Sequence, residues 1–127
     1  MIELILIGFM QVTSYRSVPE QTDSTPFTTS IQTRVMDGGI AVSQDQLCPG
    51  SLFKATKIKR HSSKTCHLRD TKLHYGDVVF VYGYGMYRIN DCMHKRHKKC
   101  FDIWVKTYKQ EKKFGVRRIY VYKIPGA

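Results

Sequence analysis

Two short segments of this chain combine an aspartate with a largely apolar or aromatic run, and these acids are candidates for proton-transfer chemistry. The segments are residues 88–92 and 101–105, and a basic loop joins them. In the second segment, the two-residue period of a strand puts three apolar side chains on one face and Asp102 and Trp104 on the other. Because burying an unpartnered carboxylate is costly, we expect the face of Asp102 to open onto a cleft. The alternative is that Asp102 caps a turn or pairs with a lysine.

Composition predicts one folded and strongly basic domain. The chain has 127 residues, of which 42% are hydrophobic and 12% aromatic, which suits a single core. Lys and Arg number 21 against 10 Asp and Glu, giving a formal net charge of +11. Such a charge favours polyanions: nucleic acid, anionic lipid surfaces or the acidic polymers of a bacterial wall. Charge alone leaves these three open.

The opening residues 1–10 are strongly apolar, but the run is too short to span a bilayer. Glu3 stands where an export signal needs a basic residue. We therefore interpret the run as a first, buried strand continuing to Arg16, in a protein made in the cytoplasm without a signal peptide. The four cysteines allow three disulfide pairings, which the sequence does not rank, and free thiols are equally open.

The remaining pattern predicts a mainly-β chain. Further strands are expected at 31–36, 40–42, 53–60, 78–82, 86–91, 101–105 and 118–124, with 78–82 central in the sheet and a hairpin turn at 83–85. Ser43 and Gln46, like Thr107 and Gln110, have the spacing of a capping box, so a helical turn and a short helix ended by Gly115 should follow. Nothing is long enough for a crossover helix, which favours a small barrel.

Several short motifs follow one another in a characteristic order. They are Thr13-Ser14-Tyr15, Thr22-Asp23-Ser24-Thr25-Pro26, Ile40-Ala41-Val42-Ser43, Tyr75-Gly76-Asp77-Val78-Val79-Phe80-Val81, Gly83-Tyr84-Gly85, Asn90-Asp91, Phe101-Asp102-Ile103-Trp104 and Phe114-Gly115-Val116-Arg117-Arg118. Together they resemble the 3D domain, a family named for three aspartates and found in membrane-bound lytic transglycosylase A and related bacterial and phage wall enzymes. The resemblance covers roughly residues 12–124.

This resemblance implies a six-stranded double-psi β-barrel with one or two short helices, spanning residues 1–127 as one domain. Asp102 matches the catalytic acid of the family, and Asp91 and Asp23 match the two acids that shape and polarise the site. The residues expected to contact substrate are Trp104, Thr25, Asn90 and Tyr84. No cofactor or metal is implied. A longer, basic insertion at about 47–73, and Cys92 and His94 in place of the family's usual Thr and Asn, depart from the pattern and bear on substrate fit.

The implied activity is that of a peptidoglycan lytic transglycosylase encoded by a phage or prophage.

 The bond cleaved would be the one between MurNAc and GlcNAc, and the product would carry a 1,6-anhydro-muramic end. The implied partner is the peptidoglycan glycan strand, and virion proteins are a second class of partner. Neither nucleic acid binding nor stable membrane insertion is implied. The enzyme would act at the bacterial cell wall, either after release from the cell or as part of a phage particle.

Three other interpretations stay open on the residues alone. A zinc site could use Cys92, His94, His97 and Cys100, although their spacing is not a standard structural-zinc pattern and the neighbouring lysines oppose a dication. A nucleic-acid binder could use the interleaved aromatic and basic residues of 106–123. A third interpretation keeps the barrel as a polysaccharide-binding or virion structural module without catalysis.

Overall fold

Six strands close on one another to form a barrel in the computed structural model, which describes residues 3–16, 38–48 and 70–126. The strands are β1 (Ile5–Tyr15), β2 (Gly39–Val42), β3 (Val78–Val81), β4 (Gly85–Cys92), β5 (Cys100–Trp104) and β6 (Arg117–Ile124). Their order around the barrel is β1-β5-β2-β4-β3-β6. The β1–β5 and β2–β4 pairs are parallel and the other four are antiparallel. This confirms the predicted mainly-β, six-stranded class, and the pairing is consistent with a double-psi barrel.

The barrel interior is filled by the alternate, inward-facing side chains of all six strands. Its fully buried members include Val12, Ile40, Val79, Ile89, Phe101 and Val121. Phe101 and Ile103 belong to this core and Val105 packs against it, whereas Asp102 and Trp104 are only partly buried. The predicted division of this strand into an apolar, core-facing side and a side that carries Asp102 and Trp104 is therefore confirmed.

The predicted short helix is present as α1 (Tyr108–Phe114). Both halves of its capping box form: Thr107 Oγ1 accepts from the Gln110 backbone N–H at 3.1 Å, and Gln110 Oε1 accepts from the Thr107 N–H at 3.0 Å. Gly115 ends the helix with a φ of 66°, a backbone conformation that glycine adopts without strain. The local sequence alone was enough to specify this helix.

The capping box predicted at Ser43 and Gln46 is wrong, although the predicted helical turn exists as a 3₁₀ turn at Gln44–Gln46. Ser43 makes no side-chain cap there. Its hydroxyl oxygen instead accepts a hydrogen bond from the backbone N–H of Cys100 at 3.0 Å. Ser43 is fully buried and directly follows β2, so its hydroxyl gives a buried backbone donor at the start of β5 a hydrogen-bond partner.

The prediction of a wholly buried first strand is also wrong. Leu6 and Phe9 on β1 are about half exposed, at 49% and 48%. Strand β3 pairs on both sides, as expected for a central strand, yet Tyr82, the residue that directly follows it, is 63% exposed. A single closed barrel covers only its inner face, so apolar residues pointing outward remain on the surface.

Several predictions fall outside the described residues. These are the strands at 31–36 and 53–60, the candidate site residues Asp23 and Thr25, and most of the basic insertion. The single-domain boundary of 1–127 stays a prediction. Cys48 is disulfide-bonded, whereas Cys92 and Cys100 carry free thiols. Within the described ranges, the single α-helix has too few residues and too little apolar character to cross a membrane.

Candidate active site

Both described candidate acids lie in one row that crosses four strands of the barrel. Thr13 on β1 pairs with Asp102 on β5, Asp102 pairs with Ala41 on β2, and Ala41 pairs with Asp91 on β4. Paired residues point to the same face of a sheet, and neighbouring strands lie about 4.8 Å apart. The Cα atoms of the two acids are therefore roughly 10 Å apart, with Ala41 between them in the row. The row lies on the outer side of the barrel wall, facing away from the core.

A β-bulge decides that Asp91 belongs to this row. The β2–β4 register runs from Ile40 opposite Ile89 to Ala41 opposite Asp91, so Asn90 is the extra residue on β4. A slip of one residue moves every following side chain to the opposite face of a strand. Without the bulge, Asn90 would pair with Ala41 and Asp91 would be displaced from the row.

The carboxyl group of Asp102 is held mainly protonated at mildly acidic pH. Burial raises its pKa from 3.8 to about 6, and the negative charges of Glu111 and Asp91 act in the same direction. The hydroxyl of Thr13 opposes this by donating to Asp102 Oδ1 at 2.8 Å, because that bond stabilises the carboxylate. A carboxyl group with this pKa can both donate and accept a proton near neutral pH.

Tyr15 connects the two ends of the row. Its hydroxyl donates to Asp91 Oδ2 at 3.4 Å, although Tyr15 lies at the end of β1, three strands from Asp91 around the barrel. Burial raises the pKa of the phenol, and the charges of Asp91 and Asp102 raise it further. Tyr15 therefore stays neutral and acts as a donor. The other oxygen of Asp91 accepts from the Cys92 backbone N–H at 2.9 Å.

Helix α1 places a third carboxylate beside the row. Glu111 accepts from Arg16, with 2.7 Å between Arg16 Nε and Glu111 Oε1. The hydroxyl of Ser14 donates to the Glu111 carbonyl oxygen at 3.4 Å, and the Arg16 guanidinium lies 5.1 Å from the centre of the Tyr108 ring. These contacts fasten the helix to the end of β1. As a result, the charge of Glu111 acts on Asp102 from a fixed position.

The structure brings together some of the residues expected from the sequence and separates others. Asp91, Asp102 and Trp104 share the outer face of the site, and Trp104 pairs with Tyr15 across β1 and β5. Asn90 is buried, and its enclosed Oδ1 accepts no hydrogen bond from any described residue. Tyr84 lies at the opposite end of β4, roughly 20 Å from Asp91 by the rise of a strand. There the Tyr84 ring contacts the ring of Phe114 and the guanidinium of Arg117, at the junction of α1 and β6.

Three residues of the site were not predicted: Thr13, Tyr15 and Glu111. Thr13 and Tyr15 are two apart on one strand, so their shared face was available from the two-residue period. No local pattern marks Glu111, because a charge on an exposed helix is ordinary and only the docking of α1 onto β1 brings it to Asp102.

Replacing Glu111 by Gln is expected to lower the pKa of Asp102. The substitution removes a negative charge that disfavours the Asp102 carboxylate, while the helix, its capping box and the Ser14 contact remain. Carbon-detected NMR titration of the Asp102 carboxyl group measures the shift.

The control of opposite sign is Thr13→Val, which removes the hydrogen bond that stabilises the Asp102 carboxylate. In this variant the pKa of Asp102 should rise. If both variants moved the pKa in the same direction, the charges and contacts named here would not be its causes.

The cysteine and histidine run that suggested zinc is engaged in local contacts. His94 Nδ1 accepts from the Arg96 backbone N–H at 3.1 Å, and the Cys100 thiol donates to the Lys98 carbonyl oxygen at 2.8 Å. Across residues 3–16, 38–48 and 70–126, no three His, Cys, Asp or Glu side chains are grouped as ligands of one metal ion.

Comparison with known proteins adds no family assignment. No model of a protein family matches the chain, and no curated protein sequence matches it. What can be said of its class rests on the structure: the chain folds as a small, six-stranded, mixed β-barrel.

Proposed function

We propose that the protein is a lytic transglycosylase that cleaves the MurNAc–GlcNAc bond of peptidoglycan, on a barrel of the 3D-domain type. The observation that carries the proposal is Asp102, a partly buried carboxyl group with a pKa of about 6, in one row with Asp91. This reaction needs one group that first gives a proton and then takes one back. Two carboxylates acting as separate acid and nucleophile, as in most glycosidases, are not required.

In the first step, protonated Asp102 donates its proton to the glycosidic oxygen as the bond from that oxygen to C1 of MurNAc breaks. Positive charge develops at C1 and the adjacent ring oxygen. The Asp102 carboxylate that is left, together with Asp91, stabilises this charge electrostatically. The hydrogen bond from Thr13 stabilises Asp102 in the same ionised state.

In the second step, the C6 hydroxyl of the same muramic residue attacks C1. Its proton passes to the Asp102 carboxylate as the new C6–O–C1 bond forms, and the product is a 1,6-anhydro sugar. Asp102 returns to its protonated state without water entering the reaction. Tyr15 keeps Asp91 in place during both steps because its neutral hydroxyl donates to that carboxylate.

The charge around the site supports an anionic polymer as substrate. The loop between β4 and β5 carries Lys95, Arg96, Lys98 and Lys99, and all four of these basic residues are exposed. It leaves β4 just after Asp91 and enters β5 just before Asp102. Lactyl and peptide carboxylates or wall phosphates are the groups such a loop attracts. Asp23 is proposed as the third acid, and Trp104 and Thr25 as substrate contacts.

Digestion of purified peptidoglycan, followed by mass spectrometry of the released fragments, tests the proposal. We expect anhydro-muropeptides, with a rate that falls as the pH rises through about 6, because Asp102 must begin each turnover protonated. Release of reducing-end fragments would indicate a hydrolase instead. No release, combined with retention of the protein on the insoluble wall, would indicate a binding module on the same barrel.

A further inference from the structure

An apolar face lies on the side of the barrel away from the acids. It consists of outward-pointing residues of four adjacent strands together with Tyr82, which directly follows β3. This set is here called the aromatic face: Leu6, Phe9, Phe80, Tyr82, Met86, Tyr120 and Tyr122. One row of paired residues runs Leu6, Tyr122, Phe80, Met86 across β1, β6, β3 and β4. The acids lie on β5 and on the far end of β4, so the aromatic face and the acid row occupy opposite sides.

The aromatic face is large for the surface of a soluble domain. Five of its seven side chains are between 48% and 63% exposed. With 150–250 Å² for each large aromatic side chain, the face offers roughly 600 Å² of contiguous apolar surface, at the upper end of the largest patch on a typical monomer. Because the largest apolar patch on a protein surface is often functional, this face is a candidate contact surface for another apolar surface.

Charge argues against a second copy of the chain as the occupant. The charged side chains beside the face on its own strands are arginines, Arg118 on β6 and Arg88 on β4. A symmetric dimer through this face would bring these arginines together, between two chains that each carry a formal charge of +11. An anionic partner would instead place negative charge beside the same arginines and be attracted to them.

Ring packing argues against stacked nucleic-acid bases. The centres of the Phe9 and Tyr120 rings are 4.9 Å apart. The guanidinium of Arg118 lies 5.6 Å from the centre of the Phe9 ring. The Phe80 ring contacts both Tyr82 and Tyr122. Base stacking requires free ring faces, whereas Arg118 lies over the face of the Phe9 ring and the Phe80 ring is in contact with two neighbouring rings.

We propose that the aromatic face binds the surface of an anionic lipid bilayer. Leucine, phenylalanine and methionine tips enter the boundary between headgroups and acyl chains, tyrosine hydroxyls stay at headgroup level, and the flanking arginines contact lipid phosphates. The contact is peripheral and leaves the acid row facing away from the bilayer. The inference does not depend on the proposed enzymatic activity.

Sedimentation with vesicles tests it, using phosphatidylcholine alone and phosphatidylcholine mixed with phosphatidylglycerol. We expect binding to the anionic vesicles, weakened by salt, and little binding to the neutral ones. The double variant Phe9→Ser with Met86→Gln should bind the anionic vesicles at least about tenfold more weakly, because it removes two side chains that insert into the bilayer. The matched control is Val116→Gln, which removes a side chain that is 69% exposed outside the face and should bind like the unsubstituted protein.

Circular dichroism and melting temperature establish that the variants are folded, as expected for substitutions at half-exposed positions. Equal binding by the double variant and the control would overturn the proposal, since net charge alone would then explain attachment. Two other results would also overturn it by assigning the face to another occupant. One is dimerisation without vesicles that is lost on Met86→Gln, and the other is single-stranded DNA binding lost in the double variant.

Discussion

Replacement of Asp102 by Asn is expected to abolish release of anhydro-muropeptides, lowering the rate by about 10³-fold or more, the upper range for a group that acts as general acid and base. Asparagine keeps the size of the side chain and an oxygen that accepts from Thr13, but it neither donates a carboxylic proton nor takes one back. The measurement is the initial rate of fragment release from purified peptidoglycan.

The same variant should stabilise the fold at pH 7. The pKa of Asp102 is raised in the folded state, so its contribution to stability is fully present below its ordinary value of 3.8 and is lost as the pH rises through about 6. Asparagine carries no charge and avoids this loss. We expect a gain on the order of 1–3 kcal/mol in the free energy of unfolding at pH 7, vanishing below about pH 4.

Asp70→Asn is the matched control, because Asp70 is an exposed acid outside the row. It should leave the rate of fragment release unchanged. An Asp102→Asn protein that is folded and still releases anhydro-muropeptides at the original rate would remove Asp102 from the mechanism.

Replacement of Lys123 by Met is expected to destabilise the protein by about 3–5 kcal/mol, the usual effect of removing one partner from a buried charged pair. Lys123 is fully buried at the end of β6. Its ammonium group donates to the carbonyl oxygens of Asp70 and Lys72 at 2.9 Å each and lies 3.9 Å from Asp77 Oδ2. Methionine fills similar space but leaves both carbonyls and a partly buried carboxylate without this donor.

Thermal unfolding measures the effect, and a fall in the melting temperature of roughly 10 °C or more is expected. The control is Lys109→Met on the exposed surface of α1, which should change stability by no more than about 0.5 kcal/mol. Similar melting temperatures for the two variants would show that the buried contacts of Lys123 add nothing to stability.

Local rules in the sequence were sufficient wherever one segment decides its own structure. The two-residue period correctly separated the core side of β5 from the side of Asp102 and Trp104. The turn at 83–85 produced the predicted hairpin, and the Thr107 capping box with Gly115 produced α1. In each of these cases, the residues that form the hydrogen bonds, or that alternate between the buried and the exposed side, lie within a few positions of one another in the chain.

The same rules failed where a residue's partner comes from a distant segment. Ser43 has the sequence of a cap, but a strand donor on β5 takes its hydroxyl. Apolar residues on β1 were interpreted as buried, yet closure of the barrel leaves their outer face open. A lysine in a strand reads as a surface residue, and only the segment at 70–77 supplies the acceptors that keep Lys123 inside.

By itself, the sequence determined a small mainly-β barrel, because strand period and turn chemistry are local properties, and the resemblance of its motifs to a known family named Asp91 and Asp102 as candidate acids. Only the tertiary structure decided that the two acids share a row. That outcome depends on the bulge at Asn90 and on closure of the sheet, which bring together strands far apart in the chain. The raised pKa of Asp102 was decided there as well, since its carboxyl group is buried only in the folded barrel and Glu111 comes near it only once α1 docks on β1.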